Sequence, residues 1–118
     1  MRQESNLEQA AVDMARRAGY IARKVTYAGR RGAPDRWFFG PRGNLVIVEF
    51  KDRRGALSPA QKKEISMLLR RGYQVWIIDN LEDFESVIDQ ANPVRPELSR
   101  IREANIALLG SYYDVTNV

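Results

Sequence analysis

The sequence predicts an α/β (α+β) fold, in which helices flank a central mixed β-sheet and one further helix is appended at the C-terminal end. Three observations support this prediction. An apolar stripe at helical spacing precedes Gly19, two apolar runs are separated by a turn-rich segment at residues 40–44, and a helical pattern then separates two strand-like runs. A strand–helix–strand unit after a hairpin implies a mixed sheet covered by helices.

Turn signals divide the first half of the chain into one helix and three strand-like segments. The helix carries its apolar residues on one face, at Leu7, Ala10, Ala11, Met14, Ala15 and Ala18. It ends at Gly19. Residues 20–27 have the composition of a strand, and residues 28–33 form a loop rich in glycine and arginine. Two hairpin strands follow, at residues 35–39 and 45–51.

The second half alternates helices with one apolar strand. Helices are predicted at residues 59–71, 81–91 and 97–109. The largely apolar run at residues 73–78 predicts a central strand. We divide the chain into a core domain, residues 1–91, and a C-terminal helical extension, residues 92–118, which packs on the core or at a subunit interface.

The composition restricts the chemistry that the chain can perform. Its 118 residues suit one domain, and the 44% of apolar residues suffices for a core. The chain has neither cysteine nor histidine, which excludes disulfides, thiolate zinc sites and every histidine-based triad. A bound metal would therefore take oxygen ligands, which favours magnesium or manganese.

The charge is distributed unevenly around a net value of +4. Every charged residue between Asp13 and Asp35 is basic, which suits a nucleic-acid backbone. The alternative is an ordinary solvated surface with local clustering. No apolar run approaches the ~18 residues of a membrane span, and the N-terminus has no signal-peptide core. These features predict a cytoplasmic, intracellular protein.

The hairpin predicts a pair of carboxylates at its open end. If its five-residue loop centres on Arg42, facing residues have numbers that sum to 84, and Asp35 opposes Glu49. Directly opposed Cβ atoms lie about 4.5–5.5 Å apart, so two carboxylates would repel each other. A cation between them reverses the sign of that interaction.

Strand alternation places further groups beside this pair. Glu49 and Lys51 share one face, while Phe50 points the other way and offers only its backbone carbonyl to a metal. Protonated Lys51 cannot bind a metal, but it can orient or deprotonate a water or neutralise charge on a phosphate. The alternative is a Glu49–Lys51 ion pair at a sheet edge, with Asp35 as a turn residue after Pro34.

Three segments carry a resemblance to a known family. Gly32–Arg36, Val48–Lys51 and Gly55–Gln61 resemble the PD-(D/E)xK nuclease superfamily and, more narrowly, its virus-type replication-repair nuclease (VRR-NUC) domain in the stand-alone phage or bacterial form. The resemblance covers about residues 5–90. The basal motif alone is weak, and the added Gly-x-Leu-Ser-x-x-Gln pattern makes the match specific.

The resemblance implies a restriction-endonuclease-like core and a magnesium- or manganese-dependent phosphodiesterase. It implies that Asp35 and Glu49 bind the metal and that Lys51 is the catalytic lysine. Stand-alone members resemble Holliday-junction resolvases and tend to be homodimers, and larger relatives are DNA-repair nucleases. Small free-standing members are often encoded by bacteriophages.

Two further residues have both a structural and a functional interpretation. Glu8 could assist the metal, as a glutamate on this helix often does in the family, or it could complete a capping box with Ser5. Gln61 completes a similar box with Ser58, yet it shares a helix face with Ile65 and points toward the sheet. The resemblance places Gln61 beside the catalytic lysine, and its two roles are compatible.

Basic residues around the hairpin are candidate contacts to DNA phosphates. They are Lys24, Arg30, Arg31, Arg53, Arg54 and Lys62. Trp37 is interpreted as a core residue rather than a base-stacking platform. We therefore expect a metal-dependent endonuclease that acts on structured or branched DNA as a homodimer. The alternatives are a catalytically silent, structure-specific DNA-binding module of the same fold and a purely structural domain.

Overall fold

The computed structural model describes residues 3–52, 55–89 and 96–114, which form four strands, five helices and a 3₁₀ turn. The strands are β1 (Ile21–Lys24), β2 (Arg36–Phe39), β3 (Leu45–Phe50) and β4 (Val75–Ile78). The helices are α1 (Gln3–Arg17), α2 (Pro59–Arg70), α3 (Leu81–Ile88), α4 (Pro96–Leu109) and the single turn α5 (Ser111–Asp114). A 3₁₀ turn at Pro41–Gly43 joins β2 to β3.

The strands form one mixed sheet in the order β1-β2-β3-β4, which confirms the predicted fold class. β1, β2 and β3 are antiparallel neighbours, whereas β4 runs parallel to β3 after the α2 crossover. In the hairpin, Arg36 pairs with Val48 and Phe39 with Leu45. The observed register therefore has the predicted sum of 84, because the loop turns about Arg42.

Each face of the sheet has its own apolar core. The first core joins alternate strand residues, among them Phe38, Val48 and Phe50, to α1, α3 and α4. The second core joins the intervening residues to α2 and to the end of α4, with Ile47 and Ile65 at its centre. The strands of this sheet therefore present opposite faces to two separate helical layers.

The prediction of a central strand at residues 73–78 is wrong, since β4 lies at one edge of the sheet. All four of its residues are nevertheless buried. The reason is α4, which covers the edge: the Asn105 side chain accepts from Ile77 N at 2.8 Å and donates to Ile77 O at 3.0 Å. One amide thus replaces the backbone of a neighbouring strand, and a wholly apolar pattern suits the enclosed position.

Helix boundaries differ from the prediction mainly near the ends. α1 begins at Gln3, so Ser5 lies within the helix and cannot cap it; the capping box proposed for Ser5 and Glu8 is wrong. α3 ends at Ile88, because Asp89 adopts an extended conformation. Of the described residues, no helix combines the length and apolar character needed to cross a membrane.

Candidate active site at the open end of the hairpin

Asp35 and Glu49 lie at the open end of the hairpin formed by β2 and β3. The paired register ends at Arg36 and Val48, and its extension by one residue would set Asp35 opposite Glu49. The Asp35 carbonyl accepts from Val25 N at 3.1 Å, which holds the residue to the end of β1. Strand alternation directs both carboxylates toward the face of the second core.

Glu49 is a buried carboxylate that α2 holds in place. Only 3% of its surface is exposed. Its Oε2 accepts a hydrogen bond from Gln61 Nε2 at 3.0 Å. A buried carboxylate is costly unless it is hydrogen-bonded or near a cation, and the Gln61 amide offsets part of that cost.

The start of α2 explains why Gln61 reaches this position. Ser58 caps the helix, with its Oγ accepting from Gln61 N at 3.1 Å, while Gln61 Oε1 accepts from Ser58 N at 2.8 Å. Pro59 occupies the first helical position, where its missing N–H costs nothing. The structure thus confirms the predicted cap and adds a contact with Glu49 that was not predicted, because the Gln61 amide has an acceptor for the cap and a donor for Glu49.

Lys51 follows β3 directly, beside Glu49 in sequence and at the end of the parallel pair. Its backbone N donates to Ile78 O at 3.0 Å, and its Nζ donates to Asp52 O at 2.9 Å. The chain then turns, with Gly55 N donating to Asp52 O at 2.9 Å. The lysine is half-buried, so part of its surface is open to solvent.

Glu8 lies apart from the two hairpin carboxylates. Its Oε2 accepts from Arg36 Nε at 2.5 Å, in an ion pair whose members are both largely buried. Arg36 neighbours Phe38 on the face of the first core, opposite to Glu49. The structure therefore places Glu8 at the same end of the sheet but on its other side.

The remaining oxygen donors suit a hard divalent cation. No three aspartate or glutamate side chains in the described ranges are grouped closely enough to hold a metal by themselves. Two carboxylates, Asp35 and Glu49, and the Phe50 carbonyl form a smaller set. Magnesium needs no more, because it usually retains several waters and binds one or two carboxylates together with substrate phosphates.

The loop that carries the arginines is fastened to α2. We call residues 27–32 the arginine loop. Tyr27 Oη donates to Glu64 Oε2 at 2.9 Å, and Arg30 Nη2 lies 3.4 Å from Glu64 Oε1. Burial, together with the hydrogen bond and charge of Glu64, raises the pKa of Tyr27 to about 12, so its hydroxyl remains a donor.

Gly32 closes this loop against the helix. Its φ is +96°, and a Cβ there would lie 2.6 Å from the Ala60 carbonyl oxygen. Only glycine meets both requirements. The chain therefore approaches the first turn of α2 closely just before it reaches Asp35.

The other basic candidates have different surroundings. Arg31 and Lys24 are exposed, but Lys24 pairs with Arg36 in the register and shares its face, away from Glu49. Lys62 is half-buried in the first turn of α2. Arg53 and Arg54 lie outside the described residues. Trp37 packs against the second core, in agreement with its interpretation as a core residue.

Sequence reasoning missed Tyr27 and Glu64. Glu64 is 8% exposed and lies one helical turn after Gln61. This spacing places the two residues on the same helix face, and it was the one signal in the sequence that Glu64 faces the site. Glu64 and Tyr27 are 37 residues apart in the sequence, so no local pattern predicts the hydrogen bond between them.

A separate cleft lies between α1, α3 and α4. It encloses about 380 Å³ and is lined by Met14 and Ser86 together with the carboxylates of Glu85, Asp89 and Glu97. This charge repels phosphate, and the cleft contains none of the hairpin residues. The hairpin end, rather than this cleft, is the candidate active site.

Two comparisons with known proteins show what the chain as a whole is similar to. No protein-family model matches the sequence. The chain is 35% identical over 89 residues to "Putative nuclease p44" of Acyrthosiphon pisum secondary endosymbiont phage 1, a match that spans 75% of this chain and 95% of that protein. Its fold is similar to a solved structure described as a VRR_NUC domain, with a TM-score of 0.70 and 28% identity, over 76% of this chain and 98% of the other.

Proposed function

Because this chain belongs to the VRR-NUC family of nucleases, we propose that it is a magnesium- or manganese-dependent endonuclease that hydrolyses phosphodiester bonds in structured or branched DNA. The observation that carries the proposal is the buried Glu49, held by Gln61 at the end of a hairpin whose register, extended by one residue, would set Asp35 opposite. Nearby arginines supply the positive charge that a phosphate backbone requires.

Asp35, Glu49 and the Phe50 carbonyl are the groups that would hold the cation. A bound divalent cation supplies charge stabilisation to the phosphate and a more acidic water. Gln61 keeps Glu49 Oε2 in one orientation, since its own amide is fixed by the helix cap. Glu8 is left out of this set because Arg36 occupies its Oε2.

Lys51 is proposed to act on the proton and on the developing charge. Its ammonium can stabilise negative charge on the scissile phosphate, and its amine form can accept a proton from the attacking water. Its present acceptor is a neutral carbonyl, Asp52 O, rather than a carboxylate. Binding a phosphate would therefore exchange a neutral acceptor for a charged one, which strengthens the contact.

We further propose that the protein is a homodimer that acts on Holliday junctions or related repair intermediates. The similarity to a phage protein supports a phage origin for this activity. Two related sites in a symmetric dimer would allow paired cuts across a symmetric junction. Light scattering tests this, since a concentration-independent mass of one chain would exclude the dimer.

Cleavage assays test the nuclease proposal directly. Four-way junction, flap and linear DNA are incubated with magnesium, manganese or EDTA, using the wild type, Asp35→Ala and Lys51→Ala. Both substitutions should lower the cleavage rate about 100-fold or more. The control is Asp13→Ala, which removes an exposed carboxylate from α1.

The outcomes distinguish the alternatives. Metal-dependent cutting that survives both substitutions would disprove the site assignment. Binding to the junction without cleavage in any metal would instead identify a catalytically silent DNA-binding module.

A further inference from the structure

We propose that Glu64 is a positioning residue that, with Tyr27, holds the arginine loop against α2 and thereby presents Arg30 to a substrate phosphate. This inference rests on the nuclease function proposed above, and it adds the means by which the substrate backbone is aligned with the hairpin site.

Glu64 binds the arginine loop through both carboxylate oxygens. Its Oε2 accepts from the Tyr27 hydroxyl at 2.9 Å, and its Oε1 lies 3.4 Å from Arg30 Nη2. Tyr27 is the first residue of the loop, and Arg30 lies three residues later. One side chain on α2 therefore fixes the loop at two points.

The burial of Glu64 indicates that these contacts serve a purpose other than packing. An apolar residue of similar volume would fill this position on α2 without the cost of removing a charge from water. Glu64 is only 8% exposed, whereas the Arg30 side chain is 58% exposed. The pair is thus asymmetric, with a buried anchor and an accessible cation.

Arg30 retains the capacity to bind a phosphate. Its guanidinium has five N–H donors in a planar fork, and the contact to Glu64 involves one nitrogen, Nη2. A guanidinium held by one edge loses less rotational freedom when its other donors bind a phosphate. Prior orientation by Glu64 would therefore improve phosphate binding.

The same helical turns of α2 connect this loop to the hairpin carboxylates. Gln61 binds Glu49, Ala60 contacts Gly32, and Glu64 follows one turn later. Val25 N and Asp35 O close the loop at its base. A phosphate at Arg30 and a second phosphate at a cation held by Asp35 and Glu49 would thus be aligned by one rigid element.

Removal of the Glu64 carboxylate should change DNA affinity in opposite directions, depending on whether Glu64 positions Arg30 or contributes only its negative charge. Removal of a carboxylate near a nucleic-acid site should strengthen binding through the change in charge alone. If Glu64 orients Arg30, its removal should weaken binding despite the added positive charge. The sign of the effect therefore decides between them.

The experiment measures binding of the full-length protein to a fluorescent four-way junction in EDTA, so that no cleavage interferes. The variants are Glu64→Met, which keeps the volume and removes both acceptors, Arg30→Ala, the double variant, and Glu64→Gln, which keeps one acceptor. Asp83 and Arg100 form the matched control pair, at 2.7 Å and with a 62% exposed arginine, on α3 and α4. Asp83→Ala and Arg100→Ala change the charge by the same amounts.

Arg30→Ala should weaken binding about threefold at 200 mM salt and reduce the slope of log affinity against log salt by about 0.9, the loss of one phosphate contact. Glu64→Met should give the same changes, the double variant no more than Arg30→Ala, and Glu64→Gln a smaller loss. Asp83→Ala should leave binding unchanged or slightly tighter. Unfolding by denaturant shows whether each variant is folded, and Glu64→Met should remain as stable as the wild type.

The inference would be overturned if Glu64→Met bound the junction as tightly as the wild type. It would also be overturned if the effects of Glu64→Met and Arg30→Ala on affinity added in the double variant. A wild type that does not bind the junction would also overturn it. A wild type that binds as described but never cleaves DNA would overturn the proposed function alone, because the affinities and salt slopes are measured without cleavage.

Discussion

The amide of Gln61 joins Glu49 to the first turn of α2, donating through Nε2 to the carboxylate at 3.0 Å and accepting through Oε1 from Ser58 N at 2.8 Å. The group that caps the helix is therefore also the group that orients the buried carboxylate. Any movement of this helix end is transmitted directly to the candidate active site.

Ser58→Ala and Gln61→Ala should separate these two roles. Loss of the cap in Ser58→Ala should cost about 1 kcal/mol of unfolding free energy. Gln61→Ala should cost a similar amount and also lower cleavage about 10- to 100-fold, because it frees Glu49 Oε2. Urea unfolding and cleavage rates measure the two effects. Equal losses of activity in both variants would contradict a separate role for the Gln61–Glu49 bond.

Asp35→Asn should reverse the response of stability to metal. In EDTA the variant should be as stable as the wild type or more stable, since opposed like charges cost about 0.2–1 kcal/mol. With magnesium or manganese the melting temperature of the wild type should rise, because the cation binds only the folded state. Thermal unfolding measures this response, with Asp13→Asn as the control. If metal raised the melting temperature of Asp35→Asn as much as that of the wild type, the metal site would be refuted.

Gly32→Ala should destabilise the protein far more than Gly29→Ala. Both glycines have positive φ, +96° and +76°, which costs a non-glycine residue about 1–2 kcal/mol. Only at Gly32 would the new Cβ also meet Ala60 O at 2.6 Å, whereas nothing lies within 4 Å of the position at Gly29. Denaturant unfolding and cleavage assays compare the two; similar losses would show that the contact with α2 is dispensable.

Tyr27 should make stability fall at alkaline pH. Its pKa rises from about 10 to about 12 on folding, so the native state retains a proton that the unfolded chain has lost. This contribution is fully present below pH about 10 and is lost as the pH rises through about 12. The free energy of unfolding should therefore decline less steeply in Tyr27→Phe than in the wild type across this interval. Identical slopes would contradict the raised pKa.

Asn105→Ala should weaken the whole domain. The substitution leaves Ile77 N–H and C=O without their side-chain partners at a buried edge, and we expect a loss of about 2–3 kcal/mol. Arg102→Ala is the control on the same helix, since it removes only a contact with the Trp76 ring worth about 0.5–1 kcal/mol. A loss in Asn105→Ala no greater than in the control would show that water replaces the amide.

The register of the hairpin was predictable because a short loop determines it. A turn centred on Arg42 leaves one pairing, and strand alternation then assigns each side chain to a face. The position of β4 was not predictable in this way. Its apolar sequence indicates burial on every side, and the covering group comes from Asn105, 28 residues away from the Ile77 that it binds.

The candidate site, like the sheet, was predictable from the sequence only in part. Asp35, Glu49, Lys51 and Gln61 fall within three short segments, and their spacing was informative. The environment of Glu64 depends on Tyr27, which local patterns cannot connect to it. Glu8 lies on the predicted helix, but its partner Arg36 is 28 residues away in the sequence. Local patterns therefore could not predict this ion pair or the side of the sheet on which Glu8 lies.

The amide at position 105 has a consequence for assembly as well as for stability. Edge strands with unpaired backbone groups recruit strands from other molecules, and β4, which is apolar throughout, would be a strong template for such pairing. Since α4 adds Ile101 to one core and Leu109 to the other, it is built into both layers of the domain. A version of this protein that ends at residue 91 would therefore expose the β4 edge and tend to self-associate through it. In the full chain, α4 covers this edge and so opposes aggregation.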